Sequence, residues 1–325
     1  MRCELEQDSV KTFPGLTLFS KRGTCMKPTG VYLPPKHVST KNAVDLVLWL
    51  HGWYVKDHKQ LFHSDEAPLR EQVLNSSKDA VLIAPFLGQK FKREDTDYDL
   101  TDLKGAKWGE LYLNEMLTAL ARFQNPSSPP VLDVKTLTIA CHSGGGVGMR
   151  YLVRTLGKYQ PKLKECWGFD CLYGADASPD DATFWYQWML GKDARPLHIV
   201  YGPSTLPQSV KLDLIGRGKA TPQGNKADPP GHKINDLRVS IGHYEAFPFA
   251  GQMVKVNNTD ALVDDLMNRP PPGARPTKPT KPKDGDFVKR AADNLSANFA
   301  FMDDIHYFIA RSGFLSRLRN AAFLV

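Results

Sequence analysis

The chain has 325 residues, 42% of them apolar, and a formal charge of +7. That length suits one large α/β domain with a full core, and no run approaches the roughly 18 consecutive apolar residues of a membrane span. The opening Met1-Arg-Cys-Glu-Leu-Glu-Gln-Asp has no apolar stretch of the kind a secretory signal needs, so the expectation is a soluble, cytoplasmic protein, with export after signal removal as the alternative.

Of the five cysteines, Cys141, Cys166 and Cys171 lie in apolar strand-like runs, where a thiol serves as a small hydrophobe. Cys3 and Cys25 could pair only in an exported protein. The positive charge would suit an anionic partner. Much of it is local, however. Residues 269–284 hold six prolines and five Lys/Arg with no bulky apolar side chain, and read as an extended, exposed loop able to meet an anionic surface. No zinc-ligand spacing, RNA-binding aromatic signature or Walker-type loop accompanies the charge, so nucleic acid is not expected as a partner.

In chain order, Val44–Leu50 and Ala80–Pro85 are near-continuous apolar runs, as is Thr136–Cys141 after the helical spacing of Trp108–Phe123. A second helical pattern, Gly146–Leu156, is followed by three more short runs, Cys166–Phe169, Leu197–Tyr201 and Leu237–Ile241. Continuous rather than alternating apolar character predicts parallel strands covered on both faces. Alternation with helices predicts a doubly wound, mostly parallel sheet flanked by helices, its chemistry at the carboxyl ends of the strands. The expected layout is one domain over residues 1–325, with 269–284 as a Pro-rich insertion near the C-terminus.

Leu137-Thr-Ile-Ala-Cys-His-Ser143-Gly-Gly-Gly-Val-Gly reads as strand, sharp turn and helix. A serine in such a strained turn needs small neighbours two residues to either side. Gly145 supplies one, and Cys141 stands where glycine would be usual. From about residue 44 onward this pattern resembles the α/β-hydrolase superfamily, of the esterase and lipase-like kind. The resemblance implies an α/β-hydrolase fold with Ser143 as nucleophile. Val44–Leu50 followed by His51-Gly52-Trp53 is similar to the third strand and oxyanion turn of these enzymes. It implies Trp53 and Gly144 as backbone donors to an oxyanion. His51 is then expected to hold the loop rather than to carry a proton.

Two acids follow the strand at Cys166, Asp170 and Asp176. Gly168-Phe169-Asp170 is similar to the turn after the sixth strand of pancreatic-type lipases, and a carboxylate at the strand tip is better placed to orient an imidazole than one farther along the loop. Asp170 is therefore preferred over Asp176. The order Ser, Asp, His requires a later histidine. His198 lies within a strand and His232 in a polar loop, which leaves His306 and His243. His306 is preferred because Ile309, Phe314 and Leu318 would pack a closing helix onto the sheet. His243, directly after Leu237–Ile241, is the alternative.

The expected reaction is cleavage of a small-molecule or lipid-like ester through an acyl-enzyme, needing no metal and no cofactor. A peptidase or amidase of the same fold, or a binding protein without turnover, are the other readings. Trp53, Tyr54, Phe86, Tyr173, Phe184, Trp185 and Trp188 fall near strand ends and could line an aromatic pocket. The run Phe184–Trp188 reads better as a helix packed on the core. Oligomeric state is not legible.

Overall fold

The structure, a computed structural model, describes residues 2–9, 13–37, 42–53, 55, 57–63, 68–88, 103, 105–175, 177–227, 231–241, 248–249, 252–253 and 305–324. Asp176, His243, Tyr54 and the Pro-rich segment 269–284 lie outside the described residues. The chain divides into two compact units, Met1–Cys171 with Ala310–Val325, and Leu172–Ile309.

The first unit is built on seven strands: β1 (Leu5–Gln7), β2 (Leu16–Ser20), β3 (Thr29–Leu33), β4 (Ala43–Leu50), β5 (Ala80–Pro85), β6 (Asp133–His142) and β7 (Leu163–Phe169). Their spatial order is β1-β2-β3-β5-β4-β6-β7. The first three pair antiparallel with one another and with β5, whereas β5, β4, β6 and β7 run parallel. No apolar run before residue 44 predicts a strand. These three antiparallel strands are short and hold few β-branched residues, so their signal is weak.

The parallel strands match the apolar runs because both faces are covered. Val44–Leu50 is buried throughout, and successive side chains meet different helices, as the twofold pleat requires. Leu50 approaches Gly148 of α4 (Gly145–Leu152). Trp49 meets Phe314 of α7 (Ile305–Asn320) at a ring separation of 4.7 Å. Trp49, Ala140 and Trp167 stand abreast on β4, β6 and β7. The small alanine between two indoles leaves room for Phe314, which also touches Trp167 and Phe169. Ile309, Phe314 and Leu318 are all fully buried, the packing expected of a closing helix. Gly313 allows α7 to come close, since a Cβ there would lie 2.7 Å from the Phe169 ring. The short helices α1 (Gln60–His63) and α2 (Leu69–Ser76) precede α3 (Trp108–Gln124), which agrees with its predicted span and buries Tyr112, Leu113, Met116, Leu117 and Leu120.

Cys3 and Cys25 are joined by a disulfide, while Cys141, Cys166 and Cys171 are free and buried. Among the described residues no helix is long and apolar enough to cross a membrane.

The second unit contains the parallel pair β8 (Leu197–Tyr201) and β9 (Leu237–Ile241) with α5 (Asp181–Met189) and α6 (Leu206–Gly216). Asp180 caps α5 by accepting from the Thr183 N–H and pairs with Lys211 at 2.6 Å. Phe184 and Trp185 are buried on α5, so those two rings are core rather than pocket wall, while Tyr186 and Trp188 are half-buried. His198 is half-buried within β8, and His232 is exposed.

Candidate active site

Strand β6 delivers Ser143 to the start of α4 through a turn in which the serine has φ of 54°. Left-handed backbone at a non-glycine residue costs on the order of 1–3 kcal/mol and persists only where its surroundings hold it. Here the restraints are visible. The Ser143 N–H donates to the Phe169 carbonyl at 3.1 Å, and the Ser143 carbonyl accepts from Gly146 N–H at 3.0 Å. The hydroxyl-bearing residue itself stays half-buried rather than sealed.

The glycines around the turn each answer a separate steric demand. A Cβ on Gly52 would fall 2.5 Å from the Ser143 Cβ, and one on Gly145 would fall 2.3 Å from the Leu50 carbonyl. On Gly146 it would meet the Cys171 carbonyl at 2.1 Å, and on Gly144 the Trp53 indole at 2.7 Å. Cys141, the departure from the usual small residue, is fully buried and lies beside Gly168 of β7.

Asp170 ends β7 as Ser143 ends β6. It is fully buried with φ of 44°, again left-handed. His142 and Phe169 are paired in the parallel register, so the serine and the aspartate leave adjacent strands at the same level. The sequence placed Asp170 at a strand tip. It gave no sign that the residue before it braces the serine through its carbonyl.

The turn after β4 is fixed by His51. Its Nδ1–H donates to the Gly52 carbonyl, and its Nε2 accepts from the Leu87 N–H at 2.7 Å. Phe86 stacks on the ring at 5.5 Å. Burial pushes the His51 pKa down to about 4, because the charged ring would lose its water shell. A neutral imidazole with both nitrogens engaged fits a loop anchor, not a proton carrier. Leu87 as the partner has no signal in the sequence.

At the other side of the elbow, Gly144 precedes α4 and its N–H makes no hydrogen bond among the described residues. An unused N–H at a helix start is an anion acceptor reinforced by the helix dipole. Trp53 follows Gly52 and lies against Gly144.

Ser143, Asp170, Gly144 and Trp53 thus come together in the first unit. His306 is in the second unit, half-buried in the first turn of α7, with its ring edge-on to Tyr173 at 6.4 Å. The alternatives Asp176 and His243 fall outside the described residues. No group of three His, Cys, Asp or Glu among the described residues could hold a metal ion.

No protein-family model and no curated protein matches the sequence. Among solved structures, the chain is similar to an S-formylglutathione hydrolase from Agrobacterium tumefaciens. That match has 18% identity and a TM-score of 0.37, over 62% of this chain and 79% of that one. A feruloyl esterase module from Clostridium thermocellum matches at 13% identity and TM-score 0.37, over 74% and 81% of the two chains. Esterase B from Lactobacillus rhamnosis matches at 13% and 0.39, over 74% and 75%. All three are remote in sequence and in coordinates, so the assignment rests on the molecule's own strand order, parallel crossovers and strand-serine-helix turn: the chain has an α/β-hydrolase fold.

Proposed function

We propose that the protein is a carboxylic-ester hydrolase that works through an acyl-enzyme on Ser143. The observation that carries the reading is Ser143 held in left-handed backbone at a strand end, beside the unused Gly144 N–H and next to the buried Asp170. A turn of that kind costs conformational energy, and such strain collects at functional sites.

In this mechanism His306 takes the proton of the Ser143 hydroxyl as Oγ attacks the ester carbonyl, with His243 as the alternative base. Asp170 orients the imidazole and stabilises its charged form. The developing oxyanion is bound by the backbone N–H groups of Gly144 and Trp53, each such donor being worth about 2.7–4 kcal/mol in comparable enzymes. The imidazolium returns its proton to the leaving alcohol. Water then attacks the acyl-enzyme by the same route and releases the acid. The Cys3–Cys25 disulfide supports an oxidising compartment over the cytoplasm as the place of action. The basic segment 269–284 is proposed to bring the enzyme to an anionic surface.

Pre-steady-state hydrolysis of p-nitrophenyl acetate tests the reading. A burst of nitrophenol near one equivalent per chain, absent in Ser143→Ala, is expected. Turnover that survives in Ser143→Ala would remove the serine from the mechanism.

A further inference from the structure

Trp53 is a large apolar side chain that stays 41% exposed beside the serine. Its pyrrole edge fills the space where Gly144 would carry a Cβ, with Nε1 2.7 Å and Cδ1 2.9 Å from that point. With the indole where it lies, a larger residue directly after the nucleophile would clash with it. The backbone that carries the indole is held as well, because Gly52, the residue before it, packs on the Ser143 Cβ and His51 holds the Gly52 carbonyl. Consecutive Cα atoms are only about 3.8 Å apart, so the indole that lies on Gly144 sits one residue along the chain from the nucleophile.

We propose that Trp53 is a specificity residue of this site, an aromatic wall that selects esters with a planar aromatic substituent next to the scissile bond. The proposal rests on the hydrolase reading above and names its substrate class. A fixed indole costs little further ordering when a ligand stacks on it. Flat rings gain from offset or edge-on contact beyond what their buried area supplies, whereas a saturated ring of the same size gains only the area. Other exposed aromatics need no such explanation, since single apolar residues on a surface are common. Trp53 differs in touching the residue that follows the nucleophile.

The test compares kcat/KM for phenyl and cyclohexyl versions of the same ester, placed once on the acyl side (methyl 3-phenylpropanoate against methyl 3-cyclohexylpropanoate) and once on the alcohol side (benzyl acetate against cyclohexylmethyl acetate). The full-length wild type should favour the phenyl compound about three- to tenfold on one side, and the side that discriminates identifies which half of the ester meets the wall. In Trp53→Leu that ratio should fall to near one, and Trp53→Phe should keep most of it. A wild type that cleaves all four esters without discrimination overturns the proposal, as does a ratio unchanged in Trp53→Leu. Where the acyl side discriminates, 2-phenylethyl- and 2-cyclohexylethylboronic acid, whose boron takes the place of the carbonyl carbon, should inhibit the wild type in the same ratio, and equal inhibition there also overturns it. If none of the esters is cleaved and neither boronate binds, the hydrolase reading itself has failed, a result separable from loss of discrimination alone.

Discussion

The Ser143 amide donates to the carbonyl of Phe169, the residue that carries Asp170 on its other side. One hydrogen bond across 3.1 Å thus ties the strained turn of β6 to the strained end of β7, and the two side chains proposed as nucleophile and acid depart from neighbouring strands. Because both residues have positive φ, neither is placed by ordinary strand geometry, and each depends on the other's backbone.

Asp170→Asn should therefore lower kcat by about 10⁴, the loss seen when the orienting carboxylate of a comparable triad is made an amide, while the fold survives because the amide is nearly the same size. Asp176→Asn should remain near wild-type turnover. Steady-state kinetics on p-nitrophenyl acetate decides between them, and the reverse pattern would move the acid to Asp176.

The base is decided by a pair of substitutions. His306→Ala should fall to the level of Ser143→Ala, and His243→Ala should be impaired at most moderately. Rates measured at equal folded fraction, checked by circular dichroism, separate lost chemistry from lost structure. Loss of activity confined to His243→Ala would overturn the assignment of His306 and leave the nucleophile standing.

His51 links the site to pH. Its folded pKa of about 4 lies below the ordinary histidine value of 6.5, so the unfolded chain binds the proton more readily. The resulting stabilisation is complete above pH 6.5 and is lost as pH falls toward 4, reaching on the order of 3 kcal/mol. Urea unfolding at pH 7.5 and pH 4.5 should show a smaller loss of stability in His51→Asn than in the wild type, the difference between the two proteins isolating this histidine from other acid-titrating groups. Equal losses would mean that the ring is not held neutral.

Phe314 is the bolt of the closing helix, buried against Trp49, Trp167 and Phe169. Phe314→Ala should destabilise by about 3–5 kcal/mol, the usual cost of emptying an aromatic site. An unfolding free energy lowered by less than a third of that, measured by chemical unfolding, would show that α7 packs loosely.

The parallel strands and the elbow were legible because their constraint is local. An unbroken apolar run such as Val44–Leu50 reports burial on both faces, and glycine at three consecutive positions after a serine reports crowding. The N-terminal strands around Leu5, Leu16 and Thr29 were not legible, being short and without a strong period. Phe169 bracing Ser143, Leu87 donating to His51 and Cys171 crowding Gly146 are backbone contacts between distant segments. A backbone N–H or carbonyl is the same in every residue, so composition and spacing carry no trace of them.

Intact-mass spectrometry after treatment with a fluorophosphonate probe tests, without knowledge of the substrate, whether Ser143 is an activated nucleophile. A single adduct is expected, mapped by peptide sequencing to Ser143, present in the wild type and absent in a folded Ser143→Ala variant. An adduct on a different serine, or no adduct under conditions that fully label a reference serine hydrolase, would contradict it.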